Sequence, residues 1–277
     1  MELRRSFSFV CAILLALVIP STPIFAADSV LEDKNGDGAV SALAFGDSIT
    51  YGVGDGIPVG QFIEEARPDG PKAGYPSRVA RLAGIPVVNV GVPGEQFTTF
   101  GADRFPSTVA SSSADIVFIL EGSNDAVFQA STTLYRNKLQ RSINVARAFG
   151  KEPVVLTIPP TCCNRAGQNL FSTSFNAQIR ILSSINSVAI ADVSRAFATT
   201  CKDKEECELL NKPEGLHPNS AGHQLIAETV LGAIYGIDVF TPTGAADLAV
   251  VLGVAPETIS IQPDPSLVAQ SGQSGGI

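Results

Sequence analysis

A serine at position 48, a histidine at 217 and a glutamate at 214 are of the right types for a nucleophilic centre if the fold brings them together. A serine hydroxyl attacks poorly at neutral pH unless a nearby imidazole takes its proton. A carboxylate that fixes the imidazole tautomer and stabilises the imidazolium completes the set. Cleavage of an ester or amide also develops an oxyanion, which needs donors already in place. The backbone amide of Gly94 and the side-chain amide of Asn124 are the candidates. Each requirement of acyl transfer is met once, by residues scattered over most of the chain.

The elements that must position them follow from apolar patterning. Ser48 closes a Gly46-Asp47-Ser48 turn directly after the apolar run 41–45, and a sharp turn out of a strand presents a hydroxyl at the end of a sheet. The run 86–90 leads into the Asn89 to Gly94 block, and 115–120 into Gly122-Ser123-Asn124-Asp125. Runs 153–158 and 188–191 make five. Their apolarity is continuous rather than alternating, which predicts strands buried on both faces. Leu139, Ile143, Ala146 and Phe149 recur at helical spacing, as do Phe175, Ile179, Leu182 and Ile185. Gly150 is placed to stop the first of these helices. Alternating strand and helix predicts a mainly parallel sheet covered on both sides, with functional groups gathered beyond the carboxyl ends of its strands. A last helix over 220–235, capped by Asn219 or Ser220 and closed by Gly236, follows His217-Pro218. The other histidine, His223, falls inside that helix and reads as structural.

Together the blocks Gly46-Asp47-Ser48, Asn89 to Gly94, Gly122 to Asp125 and His217-Pro218 resemble those of the GDSL, or SGNH, hydrolases, over about 41–236. The resemblance implies a three-layer α/β/α flavodoxin-like fold on a mainly parallel five-stranded sheet. It also implies serine-dependent hydrolysis of esters or thioesters without a cofactor. Ser48 would be nucleophile and first oxyanion donor, Gly94 and Asn124 the other donors, and His217 the base. One residue departs from the family pattern, which has aspartate three positions before the histidine where this chain has Glu214. The extra methylene moves the carboxylate by ~1.5 Å unless the loop compensates. Asp192, at the end of the fifth strand, is the substitute acid or, alternatively, a helix cap. Expected substrates are small-molecule, glycan or lipid esters. Transfer of the acyl group to an acceptor other than water would use the same residues. A chain that kept the fold and lost turnover would instead be a glycan- or calcium-binding module.

Composition narrows the setting. A formal charge of −8 argues against nucleic acid and against an anionic membrane surface as partners. Residues 1–26, with Arg4 and Arg5 before an apolar run and Ala26 at the exit, match a secretory signal, and the run is too short for the ~20 residues of a spanning helix. A secreted, extracellular or periplasmic monomer is expected, with a polar segment at 27–40, the hydrolase domain at 41–239 and a partly disordered extension at 240–277. Within that extension 245–254 is a candidate short helix packed against the body. Once the leader and its Cys11 are gone, Cys162, Cys163, Cys201 and Cys207 remain, an even count that favours disulfides over metal. All three pairings stay open. Bridging Cys201 to Cys207 would leave a strained vicinal pair, and a cross-link between the two loops is the alternative. Asp33, Asn35 and Asp37, with Gly38 sixth, imitate the front of a calcium loop, but the twelfth position is Ala44 where a glutamate is needed, so the segment reads as a polar turn. The stretch 53–73, rich in Gly and Pro, is a long loop beside the candidate site.

Overall fold

The computed structural model describes residues 29–60, 73–203 and 206–265. The proposed leader, most of the 53–73 loop and the end of the tail lie outside them. Five strands form one sheet: β1 (Ala42–Gly46), β2 (Val87–Asn89), β3 (Ile116–Leu120), β4 (Glu152–Leu156) and β5 (Ala189–Ala191). The spatial order is β2-β1-β3-β4-β5 and every pairing is parallel. β2, β3 and β5 lie within runs expected from apolarity, whereas β1 and β4 each reach one residue beyond theirs, to Gly46 and to Glu152.

Side-chain alternation divides the core in two. Ala42 and Ala44 of β1 and Ile116, Phe118 and Leu120 of β3 face one layer, with Val79 of α2 (Gly74–Ala83), Phe197 of α7 (Val193–Thr200) and Leu225, Ile226 and Val230 of α8 (Ser220–Tyr235). Leu43, Phe45, Val117 and Ile119 face the other, with Phe105 of α3 (Ala102–Ala110), Ile143 of α5 (Thr132–Ala148) and Ile179 of α6 (Asn169–Asn186). Two one-turn helices, α1 (Ser48–Tyr51) and α4 (Ser123–Val127), begin where β1 and β3 end. All five residues of β3 are buried. At ~1.5–3 kcal/mol for each large side chain so buried, β3 is a firm base for the loop that follows it.

The two helical stripes hold for three residues out of four. Leu139, Ile143 and Ala146 are buried, as are Phe175, Ile179 and Leu182, whereas Phe149 and Ile185 are 50% and 63% exposed. Each outlier lies ten residues after the first member of its stripe. At 100° per residue that rotates the side chain about 80° off the buried line. Gly150 takes a left-handed conformation after α5, and Asn219 caps α8 by accepting the N–H groups of Ala221 and Gly222.

The segment after α8 packs on the body of the domain. The helix expected there is α9 (Gly244–Leu252), and its Leu248 and Ala249, with Phe240, Ile259 and Ile261, are buried in the same layer as α8. Val30 and Val40 of the amino-terminal segment pack against that layer too. In the 33–38 turn the Asp33, Asn35 and Asp37 oxygens accept backbone N–H groups of Gly36 to Ala39, the behaviour of a polar turn. No helix among the described residues is long and apolar enough to cross a membrane.

Candidate active site

Ser48 is the first residue of α1, and its neighbour Asp47 caps that turn, accepting the N–H of Ile49 at 2.9 Å. Gly46 and Gly91 permit the approach: a Cβ on Gly46 would run into Thr50 and the Leu120 carbonyl, and one on Gly91 into the backbone of Tyr51 and Asp47. Asn89 ties the second block to the first, donating to Thr50 O at 2.8 Å and accepting Gly91 N–H at 3.0 Å.

The histidine arrives from the opposite end of the chain. Leu210 and Pro218 form an antiparallel bridge, and Asn211 donates from its backbone and its side chain to His217 O, at 2.9 and 3.1 Å. His217 Nε2 then lies 2.8 Å from Ser48 Oγ. On the other side of the ring, Nδ1 is 3.2 Å from Glu214 Oε1. That contact is at ion-pair distance but outside hydrogen-bond angles, so among the described residues Nδ1 has no aligned partner.

Glu214 absorbs its additional methylene by curling back. Its Oε2 accepts the backbone N–H groups of Leu216 and His217, both at 2.9 Å, which leaves Oε1 facing the imidazole. Burial alone would raise this carboxyl; the His217 ring and the two N–H groups outweigh it and hold the group down at about 2. Gly215 makes the loop possible. Its φ is +75°, and a Cβ there would strike the Cys162 carbonyl, while its own carbonyl accepts Cys162 N–H at 2.9 Å.

The candidate oxyanion donors come from the second and third blocks. Gly94 is exposed at φ +79°, and among the described residues neither its N–H nor that of Ser48 donates to a protein acceptor. Asn124 gives one amide hydrogen to Glu95 O at 2.8 Å, which orients the amide and leaves its second hydrogen. Asp125 accepts the N–H groups of Phe97 and Thr98 at 2.7 and 2.9 Å, joining α4 to the π-helical turn Phe97–Gly101 that precedes α3.

The remaining candidates lie elsewhere. Asp192 caps α7 and binds Arg180 and Thr157, a structural cap as one of its two readings has it. His223 is fully buried, accepts Tyr75 N–H on Nδ1 and contacts Val53 O through Nε2; burial lowers it to about 4, so the ring is neutral. Cys162 pairs with Cys163 and Cys201 with Cys207. Cys201, Cys207 and Glu208 form a group of metal-ligand types, but bonded sulfurs offer no thiolate. Cavities of about 710 and 200 Å³ flank β5 and α7, and neither is lined by Ser48 or His217.

Pattern reading passed over Glu95, Arg104 and Glu121. Only Glu121 carried a signal, a charge directly after the apolar residues 116–120.

The model of the GDSL-like lipase/acylhydrolase family matches residues 44–225, from β1 into α8. The chain belongs to that family. The sequence matches none of the curated proteins with which it was compared. Among solved structures, the lipase/acylhydrolase from Enterococcus faecalis is 22% identical with a TM-score of 0.57, over 71% of this chain and 96% of that one. An acetyl xylan esterase from Geobacillus stearothermophilus is 21% identical with a TM-score of 0.58, over 71% and 96%. At such identities the likeness speaks for the fold: an all-parallel sheet of five strands with helices on both sides.

Proposed function

We propose that this family member is a serine ester hydrolase that works through an acyl-enzyme on Ser48. The observation that carries the reading is the 2.8 Å contact between Ser48 Oγ and His217 Nε2, with Glu214 behind the ring. Nε2 takes the hydroxyl proton as Oγ attacks the carbonyl carbon. The oxyanion is received by the N–H groups of Ser48 and Gly94 and the free hydrogen of the Asn124 amide. His217 passes the proton to the leaving alkoxide and the alcohol departs. The base then takes a proton from water, which attacks the acyl carbon and releases the acid and Ser48. Glu214 keeps Nδ1 protonated and stabilises the imidazolium. The cycle needs no cofactor, because every proton and electron pair stays among serine, histidine, substrate and water.

The substrate is a carboxylic ester of a small molecule, glycan or lipid, met outside the membrane by a secreted monomer. The charged, apolar and small-residue order of 1–26 and the even cysteine count support export. One structural neighbour is an acetyl xylan esterase, which makes acetylated glycans a natural panel beside an acyl-chain-length series. The deciding experiment is labelling with a fluorophosphonate probe. The wild type is expected to label and to hydrolyse a simple aryl ester, and Ser48→Ala to do neither. An unlabelled wild type, or a labelled Ser48→Ala, would remove the assignment.

A further inference from the structure

Behind the oxyanion side lies a cluster of acids that the reaction above does not use. Glu121 directly follows β3, is 1% exposed, and among the described residues neither of its carboxylate oxygens meets a hydrogen-bond donor. The charged and titratable groups around it are Asp47 from the β1 turn, Glu95 from the second block, Asp125 from α4, and the hydroxyls of Tyr75 and Tyr135. The cation beside Glu95, Arg104 of α3, is already committed. It grips Glu95 through both oxygens, at 2.9 and 2.5 Å, and rests 4.0 Å above the Phe45 ring. Gly101, in the π-helical turn, leaves the space in which the two glutamates meet. A Cβ there would lie 3.2 Å from Glu121 Oε1 and 3.2 Å from Glu95 Oε1.

An ionised carboxylate with no donor, away from water and beside three other acids, is far too costly to persist. A protonated one has a single O–H to give, and Glu95 is the acceptor beside it. Glu95 is also the residue that follows Gly94, and its carbonyl receives the Asn124 amide. Building on the hydrolase reading, we infer that Glu121 is a protonated positioning residue. Its O–H donates to the Glu95 carboxylate and, with Arg104, fixes the Gly94-Glu95 loop, so that the Gly94 N–H and Asn124 amide stay aimed at the oxyanion. Burial and the neighbouring carboxylates both hold the Glu121 carboxyl well above the usual range, in keeping with that role.

The test compares Glu121→Gln, which keeps a neutral donor of the same shape, with Glu121→Leu, which does not. Thermal melts first establish that each variant is folded. On an aryl ester, Glu121→Leu is expected to lose roughly 10- to 100-fold in kcat with KM little changed, because displaced donors act on the transition state. Glu121→Gln should restore kcat to within about threefold of wild type. Infrared spectra at pH 8, where Asp47 is ionised, should show a protonated carboxylic acid band in wild type and in Ser48→Ala that Glu121→Gln lacks. Wild-type kcat in Glu121→Leu, equal impairment of both variants, or an unchanged band in Glu121→Gln would overturn the inference. Should Glu121→Leu fail to fold, the band and the kcat of Glu121→Gln decide. A wild type that hydrolyses nothing would sink the hydrolase reading instead, and the band would still report the Glu121 proton.

Discussion

The two halves of the site are held by different means. The base side is local: Glu214, Gly215 and His217 fall within four residues, and the glutamate's second oxygen is tied to the backbone of its own loop. The oxyanion side is distributed. Gly94 and Asn124 come from separate loops, joined by the Glu95 carbonyl and by Asp125, and backed by buried acids and one arginine. A local clamp tolerates substitution within the motif, as glutamate in place of the family's aspartate illustrates, because a side chain that folds back can take up a methylene. A distributed cradle has no such freedom, since each donor depends on partners that are elsewhere in the chain.

The largest expected effect ignores this distinction. Ser48→Ala or His217→Ala removes the pair itself and should lower turnover by several orders of magnitude, towards the ~10⁶ seen for such a deletion in another serine hydrolase. Near-wild-type hydrolysis of an aryl ester by either variant would end the comparison. Glu214→Gln probes the base side. With the carboxylate gone, the ring loses both its tautomer control and its countercharge, and kcat should fall by up to about 10⁴. Because the wild-type carboxyl sits at about 2, it is ionised across the working range, so the acid limb of the wild-type pH profile should not depend on it. Asn124→Ala probes the oxyanion side and should cost roughly 10²–10³ in kcat. A change confined to KM would mean that the amide binds substrate rather than transition state.

The smallest effect concerns the acid next to the nucleophile. Asp47 is fully buried, and burial raises its carboxyl to about 6 despite the opposing Ile49 N–H, the His217 ring and the Ser123 hydroxyl. The unfolded value is near 3.9, so between about pH 4 and 6 the native state holds more protons and stability declines as pH rises, then levels off. Asp47→Asn should flatten part of that decline. Denaturation midpoints measured from pH 4 to 7 would show it, and an unchanged slope would mean that Asp47 does not titrate there.

Much of the fold was legible because its determinants are local. Five apolar runs of strand length, separated by helical stripes and glycine stops, leave few alternatives to a covered parallel sheet. Phe149 and Ile185 show where that reading frays, since three matching spacings do not keep a side chain on one face once the angles accumulate. Which residues of 240–265 enter the core was not legible for another reason. Whether Leu248 and Ile261 belong to the core depends on what lies beside them, and a short apolar segment does not reveal its neighbour.

At the site, residue type and order along the chain were enough to nominate Ser48, Gly94, Asn124 and His217, since acyl transfer needs those groups and a parallel sheet gathers them at one edge. Spacing alone left Glu214 and Asp192 as rival acids. Tertiary structure separated them, through the backbone bonds that fold Glu214 beneath the imidazole and through Arg180 and Thr157, which hold Asp192 elsewhere. It alone also set Glu121 against Glu95. Protonation and donor aim are properties of surroundings, and the surroundings of a buried carboxyl are supplied by residues far away in the chain.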